Sequence, residues 1–162
     1  MSTATHRNVE LVVSALTAGG ADPARIVRLK VLPEAVTTAA AAAAALGIEV
    51  GQIANSLVFD ADGEPLLVLT SGAHRVDTTA VAERIGVQRL RRASPDFVLE
   101  ATGQAIGGVA PVGHPAPLRT LVDRALGAYD EVWAAGGIPH AVFPTNFGEL
   151  VAVTGGEPAD VA

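Results

Sequence analysis

The chain has 162 residues, 49% of them hydrophobic, a formal net charge of −6 at pH 7 and no cysteine. That length and apolar fraction fit one domain with a full hydrophobic core and exclude general disorder. The missing cysteines exclude disulfides, thiolate nucleophiles and thiolate metal ligands, and the acidic balance excludes a broad coat for nucleic acid, DNA included.

Met1 to Asn8 lacks the basic start and apolar core of a signal peptide. Val9, Val12, Val13 and Leu16 then recur on one face of a helix over Val9 to Ala18, with Asn8 as cap and Gly19-Gly20 as stop. Ile26 to Leu32 contains a short strand candidate, ended by Pro33. Thr37 or Thr38 caps an alanine-rich helix through Leu46, ended by Gly47. The apolar run from Ala39 to Ile48 is too short to span a bilayer, so a cytoplasmic protein with no membrane contact is expected.

Ile53 to Phe59 and Pro65 to Thr70 read as strands joined through Asp60-Ala61-Asp62-Gly63, a hairpin signal. Asp77 or Thr78 opens a helix to Ile85, stopped by Gly86, and a short strand covers Val87 to Leu90. Ser94-Pro95-Asp96 opens another helix, because serine caps and proline suits the first helical position. Leu118 to Val122 is a strand, with Asp123 leading a turn or short helix. Glu131 to Ala134 and Ala141 to Phe143 are strands, Thr145 caps a short helix through Leu150, and the acidic tail is loosely held. Hairpin-connected strands with helices between groups predict an α+β fold with a mixed or antiparallel sheet in a single domain, residues 1–162. Trp133, Phe143 and Phe147 fall at core positions.

Familiar catalytic signatures are missing. No serine sits in a nucleophile elbow, and His6, His74, His114 and His140 are too scattered for a zinc motif, so neither metal nor cofactor is expected. Two blocks stand out instead. Ile106-Gly107-Gly108-Val109-Ala110-Pro111-Val112-Gly113 is a glycine turn running into a proline-fixed bend, either a stiff wall that lets a ligand approach the backbone or a bend that simply lets elements turn and pack. Gln52-Ile53-Ala54-Asn55-Ser56-Leu57-Val58-Phe59 is a strand interrupted by two polar side chains. In Ser71-Gly72-Ala73-His74-Arg75-Val76-Asp77, Arg75 either contacts a phosphate or carboxylate or pairs structurally with aspartate. Arg89, Arg91 and Arg92 form either a local phosphate patch or an ordinary surface turn.

These blocks, taken with Thr38 to Gly47 and extended to Leu67–Asp77 and Thr102–Gly113, resemble the YbaK/EbsC family. Its members are free-standing aminoacyl-tRNA deacylases, similar to the editing domain inserted in bacterial prolyl-tRNA synthetases, and the resemblance is strongest over residues 37–150. It implies a curved mixed sheet around a small pocket and hydrolysis of the ester joining a wrongly attached amino acid to tRNA. The acceptor end of aminoacyl-tRNA and an aminoacyl-tRNA synthetase are the implied partners. Gly107 and Gly108 become the backbone wall that orients the ester and counters charge on its carbonyl oxygen. Asn55 becomes an orienting hydrogen-bond group. Leu46, Ile48, Val58, Val109 and Pro111 become the substrate-binding surface, with His74 and Arg75 at its rim.

One departure from the family pattern is central. A lysine normally stands where this chain has Asn55, and asparagine is shorter and uncharged, although it still donates and accepts hydrogen bonds. Lys30, the chain's single lysine, is a candidate to approach the site from a neighbouring strand. Three readings follow: a deacylase with altered chemistry, a tRNA- or synthetase-binding protein that has lost catalysis, and a small aminoacyl-ester hydrolase.

Overall fold

A computed structural model of the chain describes residues 6–162. The first five residues of the leader reading lie outside that range. Helices α1 (Arg7–Ala18), α2 (Pro23–Ile26), α3 (Ala39–Leu46), α4 (Thr78–Ile85), α5 (Pro95–Thr102) and α6 (Phe147–Thr154) alternate irregularly with strands. The strands are β1 (Lys30–Val31), β2 (Ile53–Ala61), β3 (Glu64–Ser71), β4 (Leu90–Arg92), β5 (Arg119–Asp123), β6 (Val132–Ala135), β7 (Ala141–Thr145) and β8 (Glu157–Ala159). They form one mixed sheet in the order β1-β7-β6-β2-β3-β5-β8, with β4 also paired to β2. The α+β architecture with a mixed sheet agrees with the expectation from sequence.

The β2–β3 hairpin closes on two residues, since Ala61 pairs with Glu64. Asp62 and Gly63 both take positive φ, 51° and 93°, which matches the twist of the flanking strands. Strand β3 is apolar on both faces because both are covered. Leu67 and Leu69 enter a large core with Val12 and Leu16 of α1 and Leu150 of α6. Leu66 and Val68 enter a second core with Val81 and Ala82 of α4. A third cluster joins Ala42 and Ala43 of α3 to Ile53, Trp133 and Val142.

Several local readings are corrected. His6, not Asn8, caps α1, its Nδ1 accepting the Asn8 N–H at 3.1 Å. The short strand expected within Ile26 to Leu32 is Lys30–Val31, which pairs with β7, while Ile26 itself ends α2, a helix that Asp22 caps and Pro23 opens. The strand read at Val87–Leu90 forms at Leu90–Arg92, where β2 offers a partner. Asn146 rather than Thr145 caps α6, accepting from the Glu149 N–H at 2.8 Å, and the helix continues to Thr154. The acidic tail is not loose. Strand β8 adds in parallel to β5 and buries Ala159 and Val161. Among the described residues no helix is long and apolar enough to cross a membrane.

Candidate functional site

The strand pairing itself leaves an opening. β2 is bonded to β3 from Ala54 to Ala61, but along its other edge it meets β6 only at Ile53 and Ala54 and β4 only from Phe59 to Ala61. Asn55 to Leu57 face neither strand. On the odd-numbered face of β2, Ile53 is held in the α3 cluster and Phe59 in the α4 core, so Asn55 falls at the seam between them. A cavity of about 640 Å³ occupies this seam.

Of the residues singled out from sequence, Asn55, His74, Arg75, Gly107 and Val109 line the cavity. Gly108 is buried next to them, so close to the Ile138–Pro139 backbone that an added Cβ would stand 2.6 Å from it. The others lie elsewhere. Val58 is one residue out of phase with Asn55 along the strand, and its side chain enters the main core on the opposite face. Leu46 and Ile48 pack on the α3 cluster, and Pro111 is buried without reaching the lining. Lys30 does not line the cavity. Its Nζ lies over the Trp133 ring, 5.3 Å from the centroid, with Arg28 also 5.6 Å away. Trp133 itself contributes a wall.

Thr37, Ser56 and Arg92 also line the site. The Ser56 hydroxyl is buried and has no hydrogen-bond partner among the described residues. A buried hydroxyl left unpaired costs roughly 1–3 kcal/mol, a deficit that a bound ligand can relieve. The arginine patch is divided. Arg92 faces the cavity, whereas Arg91 pairs with Asp60 at 3.9 Å and the Arg89 N–H binds Asp62. Among the described residues no acidic side chain lines the cavity, and the formal charges lining it are Arg75 and Arg92. A chain with net charge −6 thus presents a locally positive site.

The glycine loop is held from behind by Gln104, which is 1% exposed. Its Oε1 accepts the Ala110 N–H at 2.7 Å, and its Nε2 donates to the carbonyls of Val112 and Gly113 at 3.2 and 3.5 Å. The Gly108 N–H turns back to Ala105 O at 3.0 Å. The Gly107 and Val109 N–H groups make no hydrogen bond among the described residues, and both residues line the cavity. His114 adds a further tie, its Nε2 lying 2.9 Å from Ala110 O. Burial of this ring holds its pKa below the usual histidine value, only partly offset by that contact.

Among the lining residues, the half-exposed His74 has its Nδ1 2.9 Å from Asp123 Oδ2. The sequence leaves Asp123, at the end of a strand, either facing the pocket or serving as a capping or turn residue. It does cap, accepting the Ala125 N–H at 2.9 Å, but its second oxygen reaches this histidine. No local sequence signal marks the Gln104 tie or pairs His74 with Asp123 across 49 positions. Among the described residues no group of three or more histidine or acidic side chains is placed to hold a metal ion.

Comparisons with known proteins agree with this geometry. The family described as aminoacyl-tRNA editing domain matches residues 33–152. A crystal structure of a candidate trans-editing enzyme for prolyl tRNA synthetase superimposes with a TM-score of 0.85 and 42% identity, covering 96% of this chain and 97% of that one. The proline–tRNA ligase of Geobacter sp. (strain M21) is 31% identical over 114 residues, 70% of this chain but 20% of that ligase. Protein YwhH of Bacillus subtilis (strain 168) is 33% identical over 97 residues, 59% of this chain and 61% of that one. The chain therefore spans about one fifth of the curated ligase it matches. It belongs to the aminoacyl-tRNA editing domain family and has the YbaK-like α+β fold of that family.

Proposed function

We propose that this protein is an aminoacyl-tRNA deacylase that hydrolyses the ester between a wrongly attached amino acid and the terminal adenosine of tRNA. The observation that carries the reading is the pair of N–H groups on Gly107 and Val109 that make no hydrogen bond among the described residues, on a cavity-lining loop that Gln104 ties down at the adjoining Ala110. Ester hydrolysis passes through a tetrahedral intermediate whose oxygen becomes negative. Preorganised backbone donors stabilise that charge without rearranging. The 640 Å³ cavity is of a size that admits an aminoacyl group with part of its ribose. Arg75 and Arg92 supply the positive charge that attracts the acceptor end, and Asn55 orients the ester or its water by hydrogen bonding. The names of the relatives support a role beside proline charging, either on mischarged tRNA or in company with the synthetase. Cytoplasmic location follows from that role.

Release of free amino acid from mischarged tRNA by the purified protein tests the reading. Wild-type turnover that falls in Asn55→Ala is expected, and the absence of turnover on any charged tRNA would refute it. Asn55 in place of the family lysine favours a second reading, a protein that binds charged tRNA or a synthetase without cleaving. It predicts binding without wild-type turnover, and hydrolysis appearing in Asn55→Lys.

A further inference from the structure

We propose that His74 is the general base of this site and Asp123 its positioning residue. The proposal deepens the deacylase reading and rests on it. Among the described residues lining the cavity there is no carboxylate and no lysine, and the two guanidinium groups keep their protons. Imidazole is thus the only lining side chain that can both take up and return a proton.

Its orientation is built into the sheet. β3 and β5 are parallel with Leu69 beside Val122, so the next residues along, Thr70 and Asp123, come side by side at the end of that ladder while each stays paired to its other neighbour, Asn55 and Ala159. Asp123 is 1% exposed and fully engaged. Oδ1 accepts the Ala125 N–H at 2.9 Å, while Oδ2 accepts from the Ser71 N–H at 2.9 Å, from Thr70 Oγ1 at 3.3 Å and from His74 Nδ1 at 2.9 Å. The His74 N–H also binds Ser71 O at 2.9 Å, fixing the turn that carries the ring. An ionised carboxylate only accepts, so the shared hydrogen sits on Nδ1 and the lone pair on Nε2. Nε2 has no other partner among the described residues. A cap requires one aspartate oxygen, and here the other is committed to setting a tautomer.

In the step inferred, Nε2 removes a proton from water as the water oxygen bonds to the ester carbonyl carbon. The carbonyl electron pair moves onto its oxygen, held by the Gly107 and Val109 N–H groups. Collapse breaks the carbon–oxygen bond to the ribose, and the imidazolium returns its proton to the departing ribose oxygen. One water is consumed, an amino acid and a ribose hydroxyl are released, and no oxidant or reductant enters.

The test is single-turnover and steady-state hydrolysis of mischarged tRNA by the full chain, comparing wild type, His74→Gln, His74→Gly and Asp123→Asn. Loss of a general base is expected to lower kcat by roughly 100- to 10,000-fold with little change in KM. Added imidazole is expected to restore turnover to His74→Gly and leave Asn55→Ala unchanged. Asp123→Asn is expected to lower kcat without changing KM, and because that carboxylate is buried, the imidazole rescue at exposed His74 provides an independent readout. Wild-type kcat in His74→Gln, a loss confined to KM, or no rescue by imidazole would overturn the base assignment while leaving the deacylase reading intact. No turnover by the wild type on any charged tRNA would overturn both.

Discussion

Adding one methyl group at Gly108 should damage the site through the backbone alone. The new Cβ would stand 2.6 Å from both Ile138 C and Pro139 N, and 2.8 Å from Pro139 Cδ. Carbon contacts are comfortable near 3.5–4.0 Å, so loop and neighbour must part by roughly 1 Å. No side-chain rotation relieves this, because two of the three atoms are main chain. Overpacking of this kind costs about 1–3 kcal/mol, which in a chain of this size lowers Tm by roughly 2–12 °C. The shift also carries the adjacent Gly107 and Val109 donors away from the ester. Misplacement by about 1 Å costs on the order of 100-fold in rate, or roughly 3 kcal/mol of barrier. Thermal unfolding and hydrolysis of mischarged tRNA by Gly108→Ala measure both effects, and Gly108→Val should be worse. Gly148→Ala in α6 is the control, since its Cβ would meet only Asn146 Oδ1 at 3.7 Å. Wild-type melting and wild-type turnover in Gly108→Ala would refute the argument.

Gln104→Leu strips the loop of its internal tie and leaves the Ala110 N–H buried without an acceptor; a loss of about 1–3 kcal/mol in stability is expected by denaturant unfolding, with a larger fractional loss of kcat than of affinity. Ser56→Ala removes a hydroxyl that has no partner among the described residues, so Tm should hold or rise while KM for charged tRNA increases; a falling Tm would contradict the assignment. His114 stays neutral in the folded chain at pH values where the unfolded chain, with the ordinary value of 6.5, takes up a proton. Its contribution is therefore complete above about pH 6.5 and declines as pH falls towards the lowered folded value. Urea unfolding across that window should show a flatter pH dependence in His114→Gln than in the wild type.

What the sequence made legible was local chemistry. Thr38 accepts from the Ala41 N–H and Gly47 turns left-handed at φ 68°, as the flanks of the alanine run imply. Ser94 and Pro95 open α5, and Asp62-Gly63 closes the hairpin. Strands that exist only because a distant partner waits for them were harder to read. β8 forms because β5 offers an open edge, and Leu90–Arg92 pairs because β2 does. The same division runs through the site. Asn55 and the glycine loop were visible as breaks in pattern, and both reach the cavity. Val58 failed on parity, a one-residue shift that sends it to the opposite face. The His74–Asp123 contact spans 49 positions and depends on the parallel register of β3 and β5, which no local signal encodes.

The most direct measurement is hydrolysis by the purified protein across a complete panel of correctly and incorrectly aminoacylated tRNAs. Selective release of amino acid from mischarged tRNA, sparing the correctly charged forms, is the predicted result. Retained binding to charged tRNA with no release from any member of the panel would contradict the account and identify a recognition protein instead.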